Sequence, residues 1–423
     1  MKFNGSHGND SFTGTSGNDI FNLWSGGNDK AKGLGGDDVF NMGAALNARD
    51  TINGGGGNDT VNLDGDYAGL VFKAFTMTQV ENIVFAAGHD YSITTSDNTV
   101  AALATLHVDA SALGPGRSLV FDGSAETNGN FSFKAGHGDD VLTGGAMNDS
   151  FDLSLGGDDT ARGGGGNDSF FFGGKFTAGD RVNGGTGSND IFLNGDYSGG
   201  LTLKAHMVLQ VADIQVQGKH DYAFTLDDHS LTPGQRLEFF SGAIKGGHAL
   251  SVDASSLTNG SIFVVAGSGT DKIVGGSEAD VLQGGHAADF LRGNGGSDIY
   301  FYATAADSTG IHFDTIRGFD FQPGGDVFQS PKNITGVNSE VDGGTLTQAN
   351  FNNDLEGLIG AGQLSANQAV IFKPGGTDYS GDTFLIVDFN GTPGYQAGQD
   401  VVILLENSAH LSQISAASFQ QDL

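Results

Sequence analysis

The chain has 423 residues, of which 71 are glycine and only 6 proline, so it is neither collagen-like nor a proline-rich linker. Hydrophobic residues make up 38% of it, too many for a disordered tail, and there is no cysteine for disulfides, thiolate catalysis or a Cys-based metal site. The formal net charge of −31 excludes binding to a phosphate backbone and makes the compact state repel itself unless cations enter it.

In chain order, residues 1–65 open with Met-Lys-Phe-Asn-Gly-Ser-His-Gly, which is polar from its fourth position and carries no cleavable secretory signal of the usual kind. A unit Gly-x-Asp-x-apolar then recurs at Asp10, Asp19, Asp29, Asp38 and Asp59, with a shortened copy at Asp50. Glycine tolerates the positive φ of a tight turn, and the short apolar triplet after each Asp, as in Val39-Phe40-Asn41, suits a brief strand. With one turn and one strand per unit, successive turns fall on opposite sides of a flattened coil. Aspartates about 18 residues apart then share one edge, as in the pairs Asp10/Asp29 and Asp19/Asp38. Carboxylates joined by turn carbonyls form an all-oxygen site, which suits Ca²⁺ better than Mg²⁺ or zinc.

Residues 66–135 lose this rhythm but keep β-type alternation, as in Leu70-Val71-Phe72-Lys73 and Ser118-Leu119-Val120-Phe121. They are expected to continue the coil without Ca²⁺, with a separate small sandwich as the alternative. The Asp units return in residues 136–195 at Asp140, Asp149, Asp159, Asp168, Asp180 and Asp190. Asp10 maps to Asp140, Asp59 to Asp190, and His89-Asp90-Tyr91 to His220-Asp221-Tyr222, a long period of about 130 residues that points to tandem duplication. Residues 196–266 repeat the first insert. The His-Asp pairs read as turns leading into strands. Residues 267–302 carry a third run at Asp271, Asp280, Asp289 and Asp298.

These units resemble the calcium-binding nonapeptides of RTX (repeats-in-toxin) proteins, Gly-Gly-x-Gly-x-Asp-x-apolar-x. The best matches are Gly54-Gly55-Gly56-Gly57-Asn58-Asp59 and Gly163-Gly164-Gly165-Gly166-Asn167-Asp168. The resemblance implies an all-β fold: a parallel β-roll or β-helix solenoid with Ca²⁺ between its turns and a C-terminal β cap. The aspartates above are the expected side-chain ligands, with turn glycines such as Gly27, Gly36, Gly57, Gly157 and Gly166 completing each shell through their carbonyls. Met147, Glu278 and Ala287 stand where a third glycine belongs, so the third roll is expected to hold fewer or weaker ions. Counting pairs gives up to about ten Ca²⁺, which would offset about 20 of the 31 excess negative charges.

Residues 303–423 change texture. Asp314-Thr315-Ile316-Arg317-Gly318-Phe319-Asp320 and Gly324-Gly325-Asp326-Val327-Phe328 look like the segment that caps RTX rolls in secreted metalloproteases. The ending, with Val401-Val402-Ile403-Leu404-Leu405 and Ala416-Ala417-Ser418-Phe419, is similar to that of proteins exported by type I secretion. That likeness implies the type I secretion machinery as a partner and a place outside, or on the surface of, a Gram-negative cell.

No His-Glu-x-x-His, Gly-x-Ser-x-Gly or phosphate-loop motif is present, so no catalytic activity is expected. No apolar run is long enough for a transmembrane helix, and nucleic acid is not an expected partner. The sequence therefore reads as a secreted protein that folds on Ca²⁺ and serves a structural or adhesive role as a matrix, surface-layer or adhesin component. Self-association, or a cell-surface or polysaccharide partner, is expected. The alternatives are a calcium-dependent carbohydrate-binding module and, further off, a hydrolase with an unrecognised carboxylate site.

Overall fold

The computed structural model describes residues 1–244, 246–376 and 378–422. Nearly all regular structure is β, and the strands are short because each supplies one rung of a coil before a glycine turn reverses it. Contacts divide the chain into two units, Met1–Asn194 with His206–Ile214, and Gly195–Ala205 with Gln215–Leu423.

In the first unit one sheet stacks ten strands in parallel, from Lys2–Asn4 and Ile20–Asn22 to Ser169–Gly173 and Asp190–Leu193. Its register aligns one inward residue per rung: Phe3, Phe21, Phe40, Val61, Ile83, Val108, Phe133, Phe151, Phe170 and Ile191. Strands Asn82–Phe85, Thr105–Asp109 and Asn130–Lys134 of the segment without Asp units lie in this same column. On the opposite side, Leu70, Ile93, Phe121, Leu142, Ala161, Val182 and Val208 form a second column. A parallel coil places identical positions over one another, so every strand keeps its period-2 alternation and the core becomes a continuous apolar stack.

Phe151 shows what that stack contributes. Its ring is fully buried and lies 4.8 Å from Phe133 and 4.7 Å from Phe170, stacked on both. Phe151→Ala leaves a ring-sized cavity and should cost about 3–5 kcal/mol, read as a lower urea midpoint in saturating Ca²⁺. A midpoint unchanged from the parent would show that the column does not bear on stability.

The second unit stacks Tyr197–Leu203, Tyr222–Leu226, Leu250–Asp253, Lys272–Val274, Phe290–Arg292, Asp314–Arg317 and Val401–Glu406 in parallel. The pattern then reverses, as Phe384–Val387 and Gln368–Gly375 add on antiparallel. The helix Phe351–Leu358 buries Phe351 and Leu355 with Val370, Phe372, Phe384, Ile386 and Val402 in a compact core of its own. Gly336–Val337 and Val341–Thr345 pair with Gln368–Gly375 in parallel, and the antiparallel strands with the helix break the one-strand-per-rung repeat, as the end of a solenoid requires.

Candidate calcium ladders

Each Asp unit places its carboxylate at a turn, and the parallel stacking carries that turn into register with the next coil. The backbone N–H of one rung therefore donates to a carboxylate of the rung above. On one edge of the first roll Asp10 donates to Asp29 Oδ1 at 2.9 Å, and Asp29 to Asp50 Oδ1 at 2.7 Å. On the other edge the series runs Asp19 to Asp38, Asp38 to Asp59, and Asp59 to Glu81 Oε2, at 2.7–2.8 Å. The second roll repeats both series: Leu119 to Asp140, Asp159 and Asp180, and Phe131 to Asp149, Asp168 and Asn189. In the second unit the series are Leu250 to Asp271, Asp289 and Asp314, and Ile262 to Asp280, Asp298 and Asp326.

The carboxylates differ in what their second oxygen meets. In Asp10, Asp19, Asp50, Asp140, Asp149, Asp180, Asp271 and Asp280 it accepts an N–H from its own turn, three or four residues back. In Asp38, Asp59, Asp159, Asp168, Asp289, Asp298 and Asp314 the Oδ2 is buried and has no hydrogen-bond partner among the described residues, and the same holds for Oδ1 of Asp190. For Asp59 the reason is local. Gly55, four residues back, gives its N–H to the Gln79 carbonyl instead.

A Cβ on Gly54 would collide with Asp59 Oδ2 and with the Gln79 carbonyl oxygen, so two acceptors face one small space beside that glycine. The same crowding joins Asp38 Oδ2 to the Gly54 carbonyl beside Gly33, and Asp168 Oδ2 to the Gly184 carbonyl beside Gly163. A buried carboxylate oxygen without a donor, crowded against a carbonyl oxygen, is costly unless a cation or proton lies between them. Burial accordingly pushes these carboxyls up: Asp289 and Asp298 to about 8, Asp149, Asp159, Asp168 and Asp271 to about 7, and Asp59, Asp140, Asp180 and Asp280 to about 6. Burial also raises Asp29, Asp38, Asp50 and Asp190. An all-oxygen set of carboxylates and carbonyls, unpaired and buried, fits a hard divalent cation of flexible geometry.

One sequence-predicted position differs. Asp190 lies in the strand Asp190–Leu193 opposite Ser169, and the ladder place belongs to Asn189, one residue earlier. The 130-residue offset that maps Asp10 to Asp140 carries Asp59 to Asn189, whereas matching Gly-x-Asp patterns had chosen its neighbour. Asn189 donates its side-chain amide to the Gln210 carbonyl at 3.0 Å. It thus supplies in the second roll the donor that the equivalent Asp59 lacks beside Gln79. Gly27, Gly36, Gly57, Gly157 and Gly166 all sit in turns at positive φ. The carbonyls crowded against the unpaired carboxylates are instead those of Gly54, Gly184 and Gln79.

Sequence reasoning missed Glu81, Asn189, Asp314 and Asp326 as ladder members. Asp314 and Asp326 stand in segments recognisable as a cap, but their 25- and 28-residue separations from Asp289 and Asp298 hide the pairing. An outer ladder was also legible, since an Asn or Asp precedes most ladder aspartates. Asn28 N–H donates to Asn9, Asn58 to Asp37 and Asn167 to Asn148.

The His-Asp repeats do not build a shared site. His89 lies against Asp64 and Asp66 while Asp90 pairs with Arg117; in the second copy Asp221 pairs with His248. What both copies keep is the tyrosine, whose hydroxyl donates to a turn carbonyl, Ala86 for Tyr91 and Gln217 for Tyr222.

The family profile of the RTX calcium-binding nonapeptide repeat matches four segments, residues 2–26, 44–67, 153–174 and 265–300. The chain is an RTX-type calcium-binding repeat protein. Ten ladder aspartates of this RTX chain fall within the matches: Asp10, Asp19, Asp50, Asp59, Asp159, Asp168, Asp271, Asp280, Asp289 and Asp298. Asp29, Asp38, Asp140, Asp149 and Asp180 lie outside them yet occupy the same ladders. RTX nonapeptides imply Ca²⁺ binding. No curated protein and no solved structure matches the chain. Among the described residues no helix is long and apolar enough to cross a membrane.

Proposed function

We propose that this RTX protein is exported, folds on Ca²⁺ outside the cell, and serves a non-catalytic structural or adhesive role at a matrix or cell surface. The observation that carries the reading is a set of buried carboxylate oxygens without partners among the described residues, two in each roll: Asp38 and Asp59, Asp159 and Asp168, and Asp289 and Asp298. Asp38, Asp59, Asp159, Asp168, Asp289 and Asp298 are the proposed principal ligands, with neighbouring turn carbonyls completing each set. The ladder aspartates already bonded within their turns form weaker sites inside the total of about ten.

Bound Ca²⁺ would supply the positive charge that these acceptors lack. Where free Ca²⁺ is scarce, the buried carboxylates and the overall −31 charge oppose folding and keep the chain open for passage through an export channel. At millimolar extracellular Ca²⁺ the ion binds the folded state alone and draws the equilibrium toward it. Type I secretion fits this sequence of events. The outward Phe171, stacked on Phe192 at 4.7 Å, leaves an apolar spot suited to assembly.

Small-angle scattering and far-UV circular dichroism during a Ca²⁺ titration test the reading. The chelated chain should be expanded and compact on reaching ~1–10 mM Ca²⁺, the range of extracellular sites. Concentration-dependent growth into larger particles in Ca²⁺ would support the structural role. A profile indifferent to Ca²⁺ would overturn the folding claim, and a strict monomer at all concentrations that also fails to bind cell surfaces would overturn the structural or adhesive one.

A further inference from the structure

The first roll carries an outward face that its own duplicate lacks. Asn4, Asn22, Asn41 and Asn62 occupy successive register positions and are bonded side chain to side chain. Asn62 Nδ2 donates to Asn41 Oδ1 at 2.9 Å, Asn41 Nδ2 to Asn22 Oδ1 at 3.0 Å, and Asn22 Nδ2 to Asn4 Oδ1 at 2.7 Å. Every amide points the same way, so Asn62 Oδ1 is the terminal acceptor and receives no hydrogen bond from any described residue. Polarisation along the chain of amides makes that oxygen a better acceptor than an isolated one.

Beside this row stands Trp24, the chain's single tryptophan, 55% exposed. A Cβ on Gly43, whose φ is +54°, would lie 2.8 Å from Trp24 Cβ, so the roll omits a side chain where the indole is seated. Trp24, Asn41, Asn62 and Asp64 together line an open cavity of about 640 Å³.

The fold does not demand any of this. At the 130-residue offset Ser154 replaces Trp24, Asp152 replaces Asn22, and the stacked pair Phe171 and Phe192 replaces Asn41 and Asn62. The inward column continues unchanged through Phe151 and Phe170, and Gly173 keeps a φ of +57°. The same backbone thus closes without the amide row and without an exposed indole. Leaving a large aromatic surface in water brings no gain to the roll itself, whereas a ring beside a line of polarised amides suits a ligand that is apolar on one face and hydroxylated at its rim.

We propose that this groove binds a neutral glycan, with the indole against the C–H face of a pyranose ring and Asn41, Asn62 and Asp64 taking its hydroxyls. The −31 charge and Asp64 in the groove disfavour an acidic polysaccharide. The site rests on the calcium-folded state proposed above and gives the adhesive reading a ligand class.

Because Trp24 is the single tryptophan, its fluorescence reports this groove alone. Ca²⁺-saturated full-length protein is titrated with cellohexaose, maltohexaose and chitohexaose, with far-UV circular dichroism recorded on the same samples. At least one sugar should give a saturable spectral shift with a Kd on the order of 0.1–1 mM, and Asn62→Leu should weaken it at least tenfold. Trp24→Ser, which installs the residue of the duplicate, should fold normally in Ca²⁺ and show no binding heat by calorimetry. A folded parent indifferent to all three sugars would overturn the glycan site while leaving the calcium reading intact. Equal affinity in Asn62→Leu, or binding to an acidic polysaccharide alone, would overturn it as well. A chain that stays unfolded in Ca²⁺ would remove both.

Discussion

Asp59→Asn and Asp168→Asn will make the protein more stable in chelator and less responsive to Ca²⁺. Both residues present a buried Oδ2 with no partner, crowded against the Gln79 carbonyl for Asp59 and the Gly184 carbonyl for Asp168. An asparagine at either site keeps one oxygen for the ladder N–H and turns an amide toward that carbonyl. The second roll already contains this arrangement, where Asn189 accepts the Asp168 N–H at 2.9 Å and donates to Gln210 at 3.0 Å. Each change removes a buried charge and adds a hydrogen bond, a gain of about 1–3 kcal/mol in the calcium-free state. Each also removes one anionic ligand, so the bound Ca²⁺ per chain, read by atomic absorption after dialysis, should fall by about one per substitution. Ordinary structural aspartates would behave in the opposite way. A lower urea midpoint in chelator with unchanged Ca²⁺ stoichiometry would overturn the assignment.

Without Ca²⁺, acidification from pH 8 to pH 5.5 should fold the chain. Burial places Asp289 and Asp298 at about 8 and Asp149, Asp159, Asp168 and Asp271 at about 7 in the folded state, against 3.8 when free. Between those values the folded chain holds protons that the unfolded chain has released. Calcium-free stability is therefore fully present below about pH 4 and is lost as pH rises through about 7 to 8. Protons and Ca²⁺ act on the same carboxylates, so the stabilisation by Ca²⁺ should shrink over the same interval. Far-UV circular dichroism in Ca²⁺-depleted buffer at several pH values checks the sign. A calcium-free chain less folded at pH 5.5 than at pH 8 would show that these carboxylates are not buried as charges.

Composition, the nine-residue rhythm and the 130-residue duplication were enough to read a parallel all-β coil with aspartates on its edges. A repeat that returns the same residue types at the same interval has few ways to bury its apolar column other than stacking, as Phe21 on Phe40 and Phe151 on Phe170 do. Calcium was legible for a similar reason, since glycine turns and carboxylates in register leave an all-oxygen edge. The structure decided what depends on register to a single residue and on neighbours distant in sequence. It set Asn189 rather than Asp190 on the ladder, extended two ladders to Asp314 and Asp326, and divided the aspartates by whether a turn N–H reaches the second oxygen. It also placed Trp24 beside the asparagine row. Pattern and spacing fix which residue types recur; which oxygen stays without a donor is fixed by where the adjacent coil puts its N–H and C=O groups, and that is known only once the coils are stacked.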